Sequence, residues 1–223
     1  MSGVLVEKDR NGDILLNVNI GQPPTPYSCI DADGNKYSSV RIGEQQWLVE
    51  NLKTTKYADG TPIPNITNDA LWAADTTGAY CYYNNDIANK TPYGALYNWY
   101  AVNNAHGLAP TGWRVPSKTD LDTLVAFLGG FTIAGGKLKE IGLSHWITPN
   151  TGATNDYGFT ALPDGARNNI MFYGKGTYST LWSSTAINAT TAYLRNMVNN
   201  TVILSDVGSV KYTGYGVRCM RNI

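Results

Sequence analysis

The stretch GWRVPSKTDLDTLVAFLGG, residues 112–130, carries the clearest structural signal in the chain. Ser117 and Asp120 have the spacing of a helix-capping box, and a Gly-Gly pair closes the stretch. Between these signals, apolar side chains recur at the i, i+3, i+4 and i+7 spacing of one helix face: Leu121, Leu124, Val125 and Leu128. We therefore predict a helix over residues 117–128 whose apolar stripe lies in the core, because a stripe of two turns is too short to zip to a partner helix.

Short strand patterns lie on both sides of this helix. Upstream, a meander of strands is predicted at residues 27–30, 36–42 and 46–50. Residues 93–105 predict a strand that runs into a short helix, and a third short helix is expected near residues 136–141. Beyond Trp146, short strands between Asn-, Thr-, Gly- and Tyr-rich connections are predicted at residues 158–162, 180–184, 192–195, 201–204 and 216–220. This pattern indicates an α+β domain with about two to three helices and long loops.

The N-terminal segment has the signals of a separate small unit. Two apolar runs, at residues 4–6 and 14–16, flank a turn sequence with Asn11 and Gly12, which predicts a β-hairpin. A Pro-rich connector, QPPTP, follows. Because a two-stranded hairpin is marginally stable alone, we expect this arm to pack on the main domain or on copies of itself as a homo-oligomer. The predicted division is an arm with its connector at residues 1–26 and one domain at residues 27–223.

Composition argues against several classes of partner. The chain has 17 Lys and Arg residues against 17 Asp and Glu residues, so we expect no surface for nucleic acid. No apolar run approaches the ~20 residues that span a membrane, so we expect no membrane insertion. The N-terminus has no basic-then-apolar export signal, and we expect either a virion component or a chain whose leader has been removed.

The residues give little support for metal or thiol chemistry. Cys29, Cys81 and Cys219 stand far apart, and their odd number favours buried free thiols. The chain has only two histidines, so no zinc site is expected. The stretch DADGN at residues 31–35 has its glycine in the fourth rather than the sixth position of a calcium loop, and we interpret it as a turn. We expect no metal and no cofactor.

Catalytic patterns are equally weak. The sequence has no HExxH motif, no phosphate-binding loop and no nucleophile elbow. Asp156, Asp164 and Asp206 stand alone in loop-like stretches, and we interpret them as turn formers.

A series of distinct motifs occurs in order along the chain. The motifs are DADGNKY (31–37), IGEQQW (42–47), ENLKTT (50–55), DGTPIP (59–64), AYCYYNN (79–85), YGALYNWYAV (93–102), GWRVPS (112–117), AGGKLKE (134–140), WSST (182–185) and GVRC (216–219). Together they resemble the major paralogous domain family first named from Fibrobacter succinogenes, over residues 27–222.

A more distant similarity joins WRVPSKTDL (113–121) and the final GVRC to the formylglycine-generating, sulfatase-modifying superfamily. That superfamily has a C-type-lectin-like fold, which is also the fold of variable proteins of diversity-generating retroelements, including phage receptor-binding tips. The resemblance therefore implies a scaffold used both for catalysis and for ligand display. Formylglycine generation needs a reactive cysteine pair, and Cys219 is the only C-terminal thiol, so we expect no enzyme. The calcium-binding triplets of sugar-binding C-type lectins are also missing, since residues 148–150 read Thr-Pro-Asn.

The C-terminal third is rich in Asn, Thr and Tyr, the residue types that adenine randomisation of Asn codons leaves behind. Tyr supplies contact area at small entropic cost, and Asn, Ser and Thr supply adaptable hydrogen bonds. The alternative is that these side chains fill exposed strand faces and turns. Our candidate ligand-binding residues are Asn168, Asn169, Tyr173, Tyr178, Asn188, Thr190, Tyr193, Asn196, Asn199, Asn200 and Tyr212.

These candidates predict a non-enzymatic display protein that binds a cell-surface protein or a glycan. It would be the variable protein of a diversity-generating retroelement, either a phage tail-fibre tip on a virion or an extracellular bacterial surface adhesin. The alternative function is a carbohydrate-binding module of a polysaccharide-degrading system, and an enzyme of the formylglycine type is a distant third.

Two spatial expectations follow from this interpretation. Six of the candidates should lie exposed on one face: Asn169, Tyr173, Tyr193, Asn196, Asn200 and Tyr212. Five tryptophans should be buried anchors instead of sugar platforms: Trp47, Trp99, Trp113, Trp146 and Trp182. Trp72 lies in a loop-like stretch and has no assigned role.

Overall fold

The computed structural model describes residues 6–8, 14–17 and 25–223, and side-chain surroundings from residue 28 onward. Its strands are β1 (Val6–Lys8), β2 (Ile14–Asn17), β3 (Thr25–Ile30), β4 (Lys36–Ile42), β5 (Gln45–Leu48), β6 (Tyr80–Cys81), β7 (Leu96–Tyr97), β8 (Ala166–Arg167), β9 (Phe172–Tyr173), β10 (Tyr178–Ala186), β11 (Thr191–Val198), β12 (Leu204–Val210) and β13 (Met220–Asn222). Its helices are α1 (Asp69–Ala74), α2 (Lys90–Tyr93), α3 (Trp99–Val102), α4 (Lys118–Phe127) and α5 (Phe131–Leu138), with 3-10 turns at Tyr83–Asn85 and Ile87–Asn89. The predicted α+β class is confirmed.

Two sheets organise the described domain. The first has the order β13-β5-β4-β3, so the end of the chain pairs with a strand near its beginning. The second is the antiparallel meander β10-β11-β12. The strands β1 and β2 also pair antiparallel, as the predicted hairpin requires. The turn of that arm and residues 22–24 of the predicted connector lie outside the described residues, whereas Thr25 and Pro26 of the connector belong to β3. The role of the arm in oligomerisation stays a prediction.

The helix predicted over residues 117–128 is confirmed as α4, with both halves of its capping box. The Ser117 hydroxyl oxygen accepts from the Asp120 amide at 3.1 Å, and the Asp120 carboxylate accepts from the Ser117 amide at 2.9 Å. Its apolar stripe is buried, since Leu121, Leu124 and Leu128 are at most 2% exposed. The stripe packs in a core cluster with Trp47 and Trp146 among others.

The third helix runs over Phe131–Leu138 and not near residues 136–141. Its two glycines explain why the predicted position was wrong, because glycine has a low helix propensity. In the structure a Cβ atom on Gly135 would lie 2.6 Å from the Ile203 carbonyl oxygen, and one on Gly136 would lie 2.4 Å from the Gly152 carbonyl oxygen. The helix therefore needs glycine there to approach two neighbouring loops.

Several strand boundaries are corrected by the structure. Residues 158–162 form a loop with a single bridge from Ala161 to Lys139, and their apolar side chains reflect burial, not pairing. The strand expected at residues 201–204 begins only at Leu204, and the one expected at 216–220 begins only at Met220. The strand and short helix predicted within residues 93–105 are confirmed as β7 and α3. The two helices that were not predicted, α1 and α2, have six and four residues. Short elements of this kind depend on tertiary contacts more than on local pattern.

The tryptophans divide between two large core clusters and one small one. All five predicted anchors are at most 9% exposed, which confirms their burial, and Trp72 is fully buried as well. Trp99, Trp113 and Trp182 belong to the cluster that also contains Tyr97 and Tyr215. Within the described residues, no single helix is long and apolar enough to cross a membrane; α4 and α5 together reach the length but are bent by 89° at their junction.

Candidate functional site

The sheet β10-β11-β12 has two faces of different character. Directly paired residues share a face, and residues alternate between faces along each strand. Trp182, Leu194 and Val207 are paired across the three strands and define what we call the open face. Leu181, Arg195 and Asp206 are paired in the adjacent register and define the helix face, which packs toward α4 and α5.

A cavity of about 240 Å³ lies on the open face. Its lining comes from all three strands, from β8 and β9, and from the segment that follows β12: Ala166, Tyr173, Tyr178, Thr180, Leu194, Asn196, Val207, Gly208, Ser209 and Tyr215. No charged side chain is among these residues. The walls are therefore aromatic and aliphatic, with a few neutral polar groups, as is usual for small-ligand sites.

The polar groups of the cavity form two short chains. The Tyr215 hydroxyl lies 3.3 Å from that of Tyr173 and 3.2 Å from that of Ser209. The Thr180 hydroxyl donates to the Asn196 side-chain oxygen at 2.9 Å. The Asn196 amide nitrogen has no hydrogen-bond partner among the described residues and can donate to a ligand. Burial, aided by the neighbouring Tyr215, raises the pKa of Tyr173, which keeps this phenol neutral.

Charged residues lie on the helix face instead. Arg195 is 1% exposed and forms ion pairs with Asp122 of α4 and Asp206 of β12. Lys118 completes the cluster, 2.7 Å from Asp122 and 3.5 Å from Asp206. This cluster joins β11 and β12 to α4 behind the cavity. Asp206 is thus an ion-pair partner within a strand, and its interpretation as a turn former is wrong.

Three of the eleven candidate residues line the cavity: Tyr173, Tyr178 and Asn196. Tyr193 does not, and the expectation that it shares a face with Asn196 is wrong. The two residues are three positions apart in β11, so their side chains lie on opposite faces. The Tyr193 ring lies on the helix face, 5.4 Å from the Lys118 ammonium.

Three candidate asparagines have structural contacts. Asn168 accepts from the amides of residues 170 and 171 in the β8–β9 connection. Asn188 accepts from the amides of residues 190 and 191, and from the Thr190 hydroxyl, in the β10–β11 turn. Asn199 is 7% exposed and donates to the Thr148 carbonyl at 2.9 Å. These side chains stabilise the turns in which they lie. Asn169 and Asn200 are exposed, and Tyr212 is half-buried, in connections outside the cavity lining.

Sequence reasoning missed most of the cavity floor. Thr180 and Leu194 could have been found by stepping two positions from Tyr178 and from Asn196, once the strands were accepted. Tyr215 and Ala166 have no such signal, because they come from separate segments that only the fold brings to the sheet.

A network of buried polar side chains lies next to the β10-β11-β12 sheet. The Asn51 amide donates to the Asp164 carboxylate at 3.0 Å, and its oxygen accepts from the Arg218 guanidinium at 3.0 Å. Asp164 is 1% exposed, so its interpretation as a turn former is also wrong. Burial raises its pKa well above the usual range. A Cβ atom on Gly216 would lie 2.2 Å from the Asp164 carboxylate, which explains the glycine.

Lys139 holds the β11–β12 turn. Its ammonium donates to the carbonyl oxygens of Val198 and Thr201 at 3.0 and 2.9 Å, and to that of Thr151 at 3.0 Å. The residue is fully buried, and this burial lowers the pKa of its ammonium to about 8. The turn between two strands of the cavity sheet is thereby tied to the end of α5.

Most of the chain matches one known protein family. Residues 40–221 match the family model of the Fibrobacter succinogenes major domain. The chain belongs to that family. A comparison with curated proteins found no match. In this Fibrobacter succinogenes major domain, the motifs ENLKTT, AGGKLKE and GVRC supply Asn51, Lys139 and Arg218, which are framework residues. All ten residues of the cavity lining lie outside the quoted motifs.

A second, more polar cleft of about 380 Å³ lies at α3 and the loop after it. Its lining is Thr76, Thr77, Trp99, Tyr100, Asn103, Asn104, Ala105 and His106. His106 is bound through Nδ1 to the Asp59 carboxylate at 2.5 Å. In the part of the chain that the structure describes, no hydroxyl group hydrogen-bonds to the other ring nitrogen of His106.

The three cysteines are free thiols in the structure. Cys81 and Cys219 are buried, as predicted, and Cys29 is half-buried; the structure pairs none of them in a disulfide. Burial raises the pKa of Cys29 to about 11 and that of Cys81 to about 12, and it also raises the pKa of Cys219 well above the usual value of a thiol. Among the residues described, no cluster of three or more His, Cys, Asp or Glu side chains is positioned to hold a metal ion.

Proposed function

We propose that this protein is a non-enzymatic binding protein whose ligand contacts the open face of the β10-β11-β12 sheet. One observation carries the proposal: the cavity there is uncharged, rich in tyrosine, and lined entirely by residues outside the family motifs. The motif residues have structural roles instead: Asn51 and Arg218 belong to the buried polar network, and Lys139 holds the β11–β12 turn. Such a division lets the lining change while the framework stays the same.

The lining suits recognition of another surface molecule. Tyr173, Tyr178 and Tyr215 offer large, stiff contact areas, and Asn196 offers an unused amide donor. A cavity without charge favours neutral groups, because an ion would lose its hydration without gaining a counter-charge. The proposed ligand is a cell-surface protein or glycan, and the proposed setting is a phage tail-fibre tip or a bacterial surface adhesin diversified by a retroelement.

A carbohydrate-binding module is the second candidate function. The cavity favours this function because it combines tyrosine rings with neutral hydrogen-bonding groups, and because its size suits a small part of a ligand. Neighbouring genes separate the two proposals. A reverse transcriptase with a near-copy template repeat supports diversified display, whereas glycoside hydrolases support the module.

The binding proposal is tested with Asn196→Asp, which keeps the side-chain shape and the bond from Thr180 but adds a charge to the cavity. We expect binding to an array of neutral glycans and to a panel of bacterial cells to weaken by about tenfold or more, with an unchanged melting temperature. The matched control is Asn65→Asp, an exposed position that lines neither cavity. Equal binding by both variants, or no binding by the parent protein to either probe, would refute the proposal.

A further inference from the structure

Among the described strands, none pairs with the outer edge of β12 in the cavity sheet. The sheet order is β10-β11-β12, and β12 pairs with β11 without a register shift along all of Leu204–Val210. The amide of Lys211 donates to the carbonyl of Thr190 at 2.9 Å, one step beyond the end of this ladder. In an antiparallel ladder hydrogen-bonded pairs alternate with non-bonded pairs, so this bond defines which residues of β12 face β11.

The alternation directs the backbone groups of Ser205, Val207 and Ser209 toward β11. Those of Leu204, Asp206, Gly208 and Val210 are directed outward. The amide and carbonyl groups of Asp206 and Gly208 have no hydrogen-bond partner among the described residues. They form a row of two donors and two acceptors at the exposed edge.

This edge lacks most of the features that usually prevent an edge strand from pairing with another chain. Edge strands are commonly blunted by proline, lysine or a bulge, and residues 204–210 contain none of these. Val207 and Val210 are 42% and 36% exposed, and Gly208 is exposed between them. A regular, partly apolar edge of seven residues is a template for another strand.

The sequence of the strand points to a second copy as that partner. LSDVGSV is nearly symmetric in character about Val207: serines stand two positions away on each side, and apolar residues stand three positions away. Antiparallel pairing about this centre places Asp206 opposite Gly208 of the second copy. A register centred on Asp206 would instead oppose two carboxylates, which is destabilising.

We propose that two copies of this chain pair through β12, antiparallel, around a two-fold axis at Val207. The outward groups of Asp206 and Gly208 then make four backbone hydrogen bonds with their counterparts. The result is a six-stranded sheet in which the two open faces lie on the same side. Both cavities are lined by Val207, Gly208 and Ser209, so they become neighbours across the axis. The pairing is independent of the proposed function; only its meaning as a bivalent ligand surface rests on it.

Cross-linking tests the register directly. In the full chain Val207→Cys, oxidised glutathione should convert the two thiols at the axis to a disulfide, with release of reduced glutathione. The Cα atoms of a non-bonded antiparallel pair are about 4.5 Å apart, within the range for a disulfide. The matched control is Val210→Cys on the same strand, whose two copies would be about 20 Å apart. A covalent dimer specific to position 207 is expected on non-reducing gels; equal cross-linking at both positions, or at neither, overturns the proposal.

Charge exchange provides a second, reversible test in the absence of any ligand. Val207→Lys and Val207→Glu should each weaken self-association by about tenfold or more in sedimentation experiments, because like charges meet at the axis. The neutral control Val207→Thr should still dimerise. Mixing the Lys and Glu variants should restore a dimer that contains one of each. A parent chain that sediments as a monomer at all concentrations, or charged variants that dimerise unchanged, would contradict the pairing even if ligand binding is confirmed.

Discussion

The phenolic oxygens of Tyr173 and Tyr215 lie 3.3 Å apart in the cavity, although the two residues come from β9 and from the segment after β12. Their contact closes one side of the open face over the sheet. Tyr215 also stacks edge-on against Trp182, with ring centroids 4.9 Å apart, so one ring of the pair is anchored in the core. The cavity is therefore a joint product of the sheet and of two chain segments laid across it.

We expect Tyr173→Phe to reduce stability by no more than about 1 kcal/mol, because Tyr215 keeps Ser209 as a hydrogen-bond partner. Tyr215→Phe removes both contacts and should cost more. Urea unfolding curves of the two variants give the comparison. A larger loss for Tyr173→Phe than for Tyr215→Phe would show that the hydroxyl chain has been assigned wrongly.

Leu124→Ala in α4 should cost about 2–5 kcal/mol, because Leu124 is 2% exposed and its removal leaves a cavity in the core. Thr123→Ala is the matched control on the exposed side of the same turn and should change stability by about 0.5 kcal/mol or less. Chemical denaturation measures both. Similar losses at the two positions would contradict the orientation of the helix.

Asn51→Ala should cost about 3 kcal/mol or more, since it leaves buried groups of Asp164 and Arg218 without partners. Exposed Asn65→Ala serves as the control and should stay near the parent stability. Thermal and urea unfolding both report the difference. A loss under 1 kcal/mol for Asn51→Ala would mean that water or a rearrangement satisfies the network.

Lys139 predicts a specific pH dependence of stability. Burial lowers the pKa of its ammonium to about 8 in the folded state, whereas an unfolded lysine keeps its usual pKa of about 10.4. Between these values the unfolded chain binds more protons, so this residue's contribution to the free energy of unfolding rises as pH increases and is constant below pH 8. The free energy of unfolding of the parent minus that of Lys139→Met should therefore increase from about pH 8 to pH 10. A flat difference over that range would show that the three carbonyl oxygens hold the ammonium charged.

The thiols should react slowly with iodoacetamide at neutral pH. The pKa of Cys29 is raised to about 11, and Cys81 and Cys219 are buried with pKa values raised as well. Alkylation of Cys29, followed by mass spectrometry, should accelerate about tenfold per pH unit between pH 8 and 10, because the thiolate is the reactive form. The urea-unfolded chain is the control and should react at ordinary rates. A Cys81–Cys219 disulfide, or fast alkylation of the folded chain at pH 7.5, would contradict these assignments.

Local signals predicted the parts of the fold that depend on near neighbours. The capping box at Ser117, the leucine stripe of α4 and the β3–β4 hairpin around residues 31–35 all follow from spacings of a few residues. The DADGN turn is held as such a turn should be, with the Asp31 carboxylate accepting from the amides of residues 33 and 35. Each of these features satisfies its own hydrogen bonds locally, so distant residues do not need to be known.

The candidate site was predicted only in part, because its residues are selected by what lies across the sheet. Asn196 and Tyr193 lie in the same strand, and both residue types fit a ligand-binding surface equally well. In the structure, however, Asn196 faces the cavity and Tyr193 faces Lys118 of α4. A shift of one position would exchange the two faces, and only the packing of α4 and α5 decides which face is covered. Asp164 illustrates the same limit, since its hydrogen-bond partner Asn51 lies 113 positions away in the chain.

The amino-acid sequence by itself determined the α+β class, the family membership, helix α4 and the burial of the tryptophans. Those properties rest on hydrophobic periodicity, capping chemistry and side-chain size, which act over short distances along the chain. The tertiary structure alone decided which Asn and Tyr side chains line the cavity, why Asp164 and Lys139 are buried, and that one edge of β12 has no partner among the described strands. These depend on long-range packing, where a side chain's surroundings are set by segments that the sequence keeps far apart.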